Sequence, residues 1–306
     1  MKTPGQHISL WQRVNRFGVI YVSQKTQHGE RSEYLRSSII GSRVIDIANV
    51  REYIKQFPKP RYSLEDFPNL APAFGRCLWP MGDEYDRVGL QQYAIFQDSY
   101  DAEECWESLF PDKPKNENAK YLTILTILMA TSDTNFIPLL YPGNLLMQID
   151  EAGAALGIIY FEDNARHAGF GMEVMISMCT PYFLGQSLMH CKNVSRVAHE
   201  IDEPPKAIRH NKDAAPKYRY HVLQIDPMKE VLRTEGQSET VGLKKALHIC
   251  RGHFRTYSEE SKGLFGRGQH GTFFIESHVR GSAKRGVVAK DYAITGLPVS
   301  QPPKEE

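Results

Sequence analysis

The run YLTILTILMAT at residues 121–131 is the most apolar segment of the chain, and its folding decides what the remaining elements can pack against. Apolar residues recur on every side of it, Leu122, Leu125 and Met129 together with Ile124 and Leu128, a pattern that predicts burial all round. The expectation is a buried core helix, capped by Asn118 after the breaker run at residues 111–118. Its 11 residues fall far short of the roughly 20 that a bilayer-spanning helix requires, so no membrane is expected as a partner.

Working outward, residues 155–161, 172–178 and 183–190 read as strands joined by glycine-containing turns, a sheet for that helix to cover. Residues 17–23 (FGVIYVS) and 93–97 read as further strands, residues 51–56 as a helical turn stopped by Pro58 and Pro60, and residues 101–109 as a short acidic helix. Asp98 to Glu107 reads as a solvated face. Between residues 57 and 80 five prolines impose an irregular path, while Phe67, Phe74 and Trp79 make it apolar enough to pack on a surface. Trp79 and Trp106 read as packing residues. Residues 218–225 (YRYHVLQI) resume a strand-like alternation. The class is therefore α+β, with mixed or antiparallel sheets, few helices and a basic β-rich C-terminal region. A boundary at residues 203–205 divides an N-terminal α+β region (1–204) from that basic region (205–297), and residues 298–306 form a disordered tail.

At 306 residues, with 41% apolar, 24% charged and 10% aromatic residues, the chain is globular and not disordered, collagen-like or coiled-coil. The start, with Lys2, Pro4 and His7 before any apolar run, lacks a signal-peptide core, and five scattered cysteines fit reduced thiols, so a cytoplasmic location is expected. No Walker, zincin or nucleophile-elbow motif occurs, and Gly169-Phe170-Gly171 lacks the rest of a dinucleotide fingerprint. No cofactor is expected.

Charge is segregated. Residues 206–290 carry 17 Lys and Arg against 8 Asp and Glu, and six of the eleven histidines, whereas the remainder has 20 against 28. A clustered excess of basic groups suits a polyanion, since each phosphate neutralised releases a counterion. It equally suits an acidic surface of a partner or of the same chain.

The densest chemistry lies in residues 248–257 (HICRGHFRTY), the glycine-rich residues 263–271, and residues 271–281 (GTFFIESHVRG). These read as strand, loop, strand. In an extended run Phe274, Glu276, His278 and Arg280 share one face, with Phe273, Ile275 and Val279 on the other, core face. Arg251, His253, Arg255 and Tyr257 share a face on the first strand unless Gly252 introduces a bulge. Pairing of the two would bring His253 and His278 together with Arg251, Arg255 and Arg280. That set suits metal-independent RNA cleavage: one histidine takes the 2′-hydroxyl proton, the other protonates the leaving oxygen, arginines stabilise the phosphorane, and Tyr257 or Lys290 assists. The same residues describe a surface that only binds phosphate, with Arg267, Lys284 and Arg285 as additional contacts. The loop GLFGRGQHG reads as a hairpin or as a backbone cradle for phosphate. Cys250 and His253 have C-x-x-H spacing, with Cys191, His270 and His278 available, but no second half-motif accompanies them, and no metal is expected. A Cys250 or Cys191 nucleophile is the weaker alternative. The basic segment offers no obvious acidic pair plus Lys constellation, which ranks a metal-dependent nuclease last.

The strings HICRGHFRTY, GLFGR, GTFFIESHVRG and KDY, with MHCKNV upstream, resemble a pattern found in uncharacterised phage and prophage proteins, over about the last third of the chain. The resemblance implies a viral or mobile-element setting, hence a bacterial host cytoplasm. It marks Arg251, Gly252, His253, His278, Arg280, Gly281, Lys290, Asp291 and Tyr292. The expected function is nucleic-acid binding, RNA favoured, with endoribonuclease chemistry as its sharper form. The alternative is a non-enzymatic protein that binds a host or defence protein through its basic face.

Overall fold

A computed structural model describes residues 9–21, 30–31, 33–56, 62–86, 89–109, 115–131, 138–161, 172–201, 218–225, 246–250, 252–275, 278–280 and 282–287. Among them stand five α-helices and a ten-stranded mixed sheet, with two small sheets formed by the C-terminal strands. This is an α+β architecture with few helices.

Residues 121–131 are a strand and not a helix. They form β6 (Tyr121–Thr131), hydrogen-bonded along its length to β5 (Gly89–Asp101) on one side and to β7 (Leu139–Ile149) on the other. The all-round apolarity is real, but its cause is a sheet covered on both faces, which demands apolar side chains at odd and even positions alike. Thr123, Ile124, Thr126, Ile127 and Thr131 supply the β-branching that suits a pleated surface. Asn118 caps no helix and lies in a turn closed by the Asn116 side chain.

The opposite correction applies to residues 172–178 and 183–190. They belong almost wholly to one helix, α5 (Met172–Met189), which holds four Met and two Leu and is buried from Cys179 to Leu188. Pro181 sits inside it, and Thr180 Oγ bonds back to the Ile176 carbonyl at 3.1 Å. Burial on all sides removed the polar stripe by which an amphipathic helix is recognised.

Strands β4 (Arg76–Asp86), β5, β6, β7 and β8 (Ala155–Phe161) form an antiparallel meander. On one side β3 (Arg43–Asp46) runs parallel to β4, β10 (Tyr218–Ile225) parallel to β3, and β9 (Val194–Ile201) antiparallel to β10. On the other, β1 (Ile20–Tyr21) joins β7 in parallel and pairs with β2 (Glu30–Arg31). The strand expected at residues 17–23 is only this short β1, since α1 (Ser9–Phe17) occupies the start. The strand expected at 93–97 is the middle of β5, and those expected at 155–161 and 218–225 are β8 and β10. Sheet pairing through β10 runs past residue 204.

One sheet face is covered by α5, by α3 (Ala48–Gln56) and by the irregular segment 62–75, whose Phe67 and Leu70 are buried. Trp79 and Pro80, assigned above to that segment, lie in β4, with a register shift beside the proline. Trp79 is fully buried and donates Nε1 to Gln97 at 3.0 Å. Segment and helix are joined by side chains of α5 and of the turn after it: Ser187 Oγ donates to the Asn69 carbonyl at 2.9 Å, Gln186 Nε2 donates to that of Ala71, and His190 Nε2 lies 2.9 Å from the Ala71 oxygen. The other face is covered at one end by α1 and α2 (Glu33–Ile40) and at the other by α4 (Ala102–Leu109), the acidic helix expected from sequence. Trp106 of α4 is buried, as expected of a packing residue.

Candidate functional site

The C-terminal strands pair as expected, but each expected strand is broken in two. The first becomes β11 (Ala246–Cys250) and β12 (His253–Tyr257), the second β13 (Gly271–Ile275) and β14 (His278–Arg280). β12 pairs antiparallel with β13, and β11 with β14, while β15 (Ser282–Val287) runs parallel to β11. Gly252 marks the break for a steric reason: a Cβ there would stand 1.8 Å from Tyr53 Oη on α3. Close approach to the core, more than a bulge, is what this glycine permits.

The hairpin β12–β13 is fixed to the body through one buried side chain. Asn193, in the turn after α5 and 1% exposed, donates Nδ2 to the Phe274 carbonyl at 2.8 Å and accepts from the Phe274 N–H at 2.9 Å. It thus imitates the next strand of a ladder. The Lys192 N–H adds a bond to the Thr272 carbonyl at 2.9 Å. Phe274 packs edge-on against Phe254 and Tyr53 at 5.1 and 5.7 Å between ring centroids. Phe274 therefore joins the main core, which reverses the expected assignment of faces. Phe273 is buried as well, beneath Tyr257 at 6.0 Å.

On the outward face His253 and Arg255 are exposed and Tyr257 is half-buried, in the expected alternation. The Arg255 guanidinium lies over the Tyr257 ring, 4.9 Å from its centroid. The connecting loop holds Lys262 exposed and Arg267 half-buried, with one guanidinium nitrogen enclosed and lacking a hydrogen-bond partner. Several of its backbone N–H groups are already committed within the loop, which leaves fewer of them for a phosphate cradle. Leu264 bonds Gln269 O at 2.8 Å, Gly266 bonds Gly263 O at 3.1 Å, Arg267 bonds Leu264 O at 3.1 Å, and Gly268 bonds Lys262 O at 2.9 Å. Leu264, 1% exposed, anchors this closed loop, and Phe265 beside it projects with half its surface exposed at φ 52°, ψ 23°. Sequence reading passed over Phe265, although the glycines around it in GLFGRG signalled a backbone turned out of the ordinary regions.

Not every residue singled out is brought together. In the ladders His253 faces Ile275 and His278 faces Cys250, so the two histidines are not cross-strand partners. Arg280 faces His248 in β14, and Lys284 and Arg285 lie in β15, all placed by their backbones. Arg251 and Lys290 lie outside the described residues, as do Asp291 and Tyr292. Among the described residues no three His, Cys, Asp or Glu side chains gather as a metal would require. Cys191 is buried with Sγ 3.5 Å from the Ser187 carbonyl, and burial pushes its thiol up to about 12, too high for a nucleophile at neutral pH. Burial likewise pushes Cys77 up to about 12 and raises Cys179 further. Among the described residues no helix is long and apolar enough to cross a membrane.

A second polar group was read wrongly from sequence. Asp98 is no part of a solvated helix face but lies in β5, 8% exposed, where Arg76 Nε donates to it at 3.0 Å and Tyr100 Oη at 2.6 Å. Asp98 raises the Arg76 pKa, and burial reinforced by Asp98 raises that of Tyr100. The group is internally balanced and joins the two core clusters beneath α2 and α4.

Comparison with known protein families, curated proteins and solved structures finds no match to this chain.

Proposed function

We propose that the protein binds nucleic acid in single-stranded form, RNA foremost, through the outward face and loop of the β12–β13 hairpin. The observation that carries this reading is Phe265. A non-glycine residue in the left-handed region costs about 1–2 kcal/mol, and here it carries a large apolar ring of which half stands exposed to solvent. Such strain is explained when the ring has a partner outside the fold. An aromatic ring held on a closed loop beside Lys262 and Arg267 suits base stacking, which every base offers and which a duplex conceals. Arg255 on Tyr257 continues the same cation and aromatic alternation at the foot of the hairpin, and residues 246–287 carry seven Lys and Arg against three Asp and Glu.

Binding is supported more directly than cleavage, because His253 has Ile275 and not His278 as its cross-strand partner. The test is fluorescence anisotropy with labelled single-stranded RNA, single-stranded DNA and duplex DNA, in EDTA, for wild type and Phe265→Ala. Single strands are retained over duplex, and the substitution weakens their binding by the worth of one stacked base, about 1–3 kcal/mol. Retention of no nucleic acid at any salt, with stoichiometric capture of one host protein instead, overturns the proposal in favour of the interaction reading. Gel analysis of the same mixtures reads cleavage: RNA cut in EDTA by wild type but not by His253→Ala extends the proposal to acid–base catalysis.

A further inference from the structure

The large sheet carries a second basic constellation, distinct from the hairpin. Arg43 opens β3, and Arg196 lies on β9, two strands away across β10. Arg43 alternates with Ile45, and Arg196 stands directly opposite Leu223, so both occupy the sheet face of the main core. There both cations lie over one ring: the Arg43 guanidinium carbon is 4.3 Å, and that of Arg196 5.2 Å, from the centroid of Phe74. His221, in register with Ile45 on one side and Ala198 on the other, brings a third basic group to the same face between them. Glu200, also at that face, stands opposite Arg219 in the register.

The ring is held firmly. The Phe74 carbonyl accepts from Gln97 Nε2 at 2.8 Å, the Gly75 carbonyl accepts from the Ser99 N–H at 2.7 Å, and Gln97 is itself fully buried and bonded to Trp79. Among the described residues neither Arg43 nor Arg196 has an acidic partner, and both are exposed. Two guanidiniums sharing one ring are separated by no more than about a Debye length, roughly 8–10 Å, and repel one another. An oxyanion between them converts that repulsion into charge-assisted forks, the geometry that arginine offers to phosphate. Two exposed cations brought together on a rigid aromatic seat have no evident role in folding. We infer that Arg43 and Arg196, seated on Phe74, form a binding site for a phosphate group, carried either by a small molecule or by a nucleic-acid backbone. The site stands whether or not the hairpin binds nucleic acid.

The test has two arms, using the full chain, Arg43→Gln, Arg196→Gln, and Arg255→Gln as a hairpin control. In the first, thermal unfolding is followed as low-millimolar inorganic phosphate replaces chloride at constant ionic strength. Phosphate raises the wild-type midpoint, each of the first two substitutions removes the rise, and the control keeps it, while all four proteins unfold alike in chloride because the altered side chains are exposed. In the second arm, single-stranded oligonucleotide affinity falls about five- to tenfold for Arg43→Gln and for Arg196→Gln, the loss of one charge-assisted contact each. A phosphate response without oligonucleotide binding assigns the site to a small phosphorylated compound and removes the nucleic-acid reading of the hairpin. Weakened oligonucleotide binding without a phosphate response assigns it to the backbone. A phosphate response that survives both substitutions, or no response together with unchanged oligonucleotide affinity, overturns the site.

Discussion

The ten-stranded sheet and the β12–β13 hairpin use similar residue types to opposite ends. In the sheet and the α5 helix that covers it, Cys77, Cys179 and Tyr182 are buried and their protons held, while Gln97 and Asp98 spend their hydrogen-bonding capacity on neighbours. In the hairpin one face is packed through Phe254 and Phe274 and the other shows His253, Arg255 and Tyr257 to solvent. Chemical richness therefore does not mark a site; chemistry presented to solvent does. The hairpin is fixed to the body by few contacts, which makes the contrast open to experiment.

The largest effect belongs to the sheet. Trp79→Ala removes a fully buried ring and leaves Gln97 Oε1 without its donor, so the protein loses about 3–5 kcal/mol in denaturant unfolding. Next comes alkaline pH. Above about 8.5 the unfolded chain releases thiol protons that folded Cys77 and Cys191 keep until about 12. The unfolded state then binds fewer protons, so stability falls as pH rises, by about 1.4 kcal/mol per pH unit per thiol, and Cys77→Ala flattens the slope of the urea midpoint against pH.

Asn193→Ala is expected to cost about 1–3 kcal/mol locally, because the Phe274 N–H and carbonyl lose their partner at once. Hydrogen exchange separates the two regions here: amides of β12 and β13 exchange faster, while those of β5 and β6 keep their protection. Equal acceleration in both would show that the hairpin is no separate unit. Phe265→Gly has the smallest effect on stability, because relief of the left-handed backbone, about 1 kcal/mol, offsets part of the loss of a half-exposed ring, and it nonetheless weakens single-strand binding. A variant that folds about as stably and binds less is the signature of a ring kept for function.

The hairpin was legible in the sequence because alternation and glycines are local signals. Its two strands, their pairing and the outward set His253, Arg255 and Tyr257 follow from residues 248–281 alone. The large sheet was less legible for one physical reason. Once an element is buried on every side, the period that separates helix from strand disappears, so β6 looked like a helix and α5 like two strands. The β-branched residues of 121–131, and the methionines and leucines of 172–189, were the remaining signal, weaker than a polar stripe. Neither the Arg76–Asp98–Tyr100 group nor the meeting of Arg43 and Arg196 over Phe74 could be read, since each joins residues far apart in sequence by strand order.

The most direct test of the account is the salt dependence of single-strand binding by wild type and by Arg255→Gln. The affinity of wild type for a single-stranded oligonucleotide falls linearly with salt on a double-logarithmic scale, and the substitution lowers the slope by about 0.7, one phosphate contact. A wild-type affinity that is indifferent to salt, or a slope that the substitution leaves unchanged, would contradict the claim that this hairpin face meets a phosphate backbone.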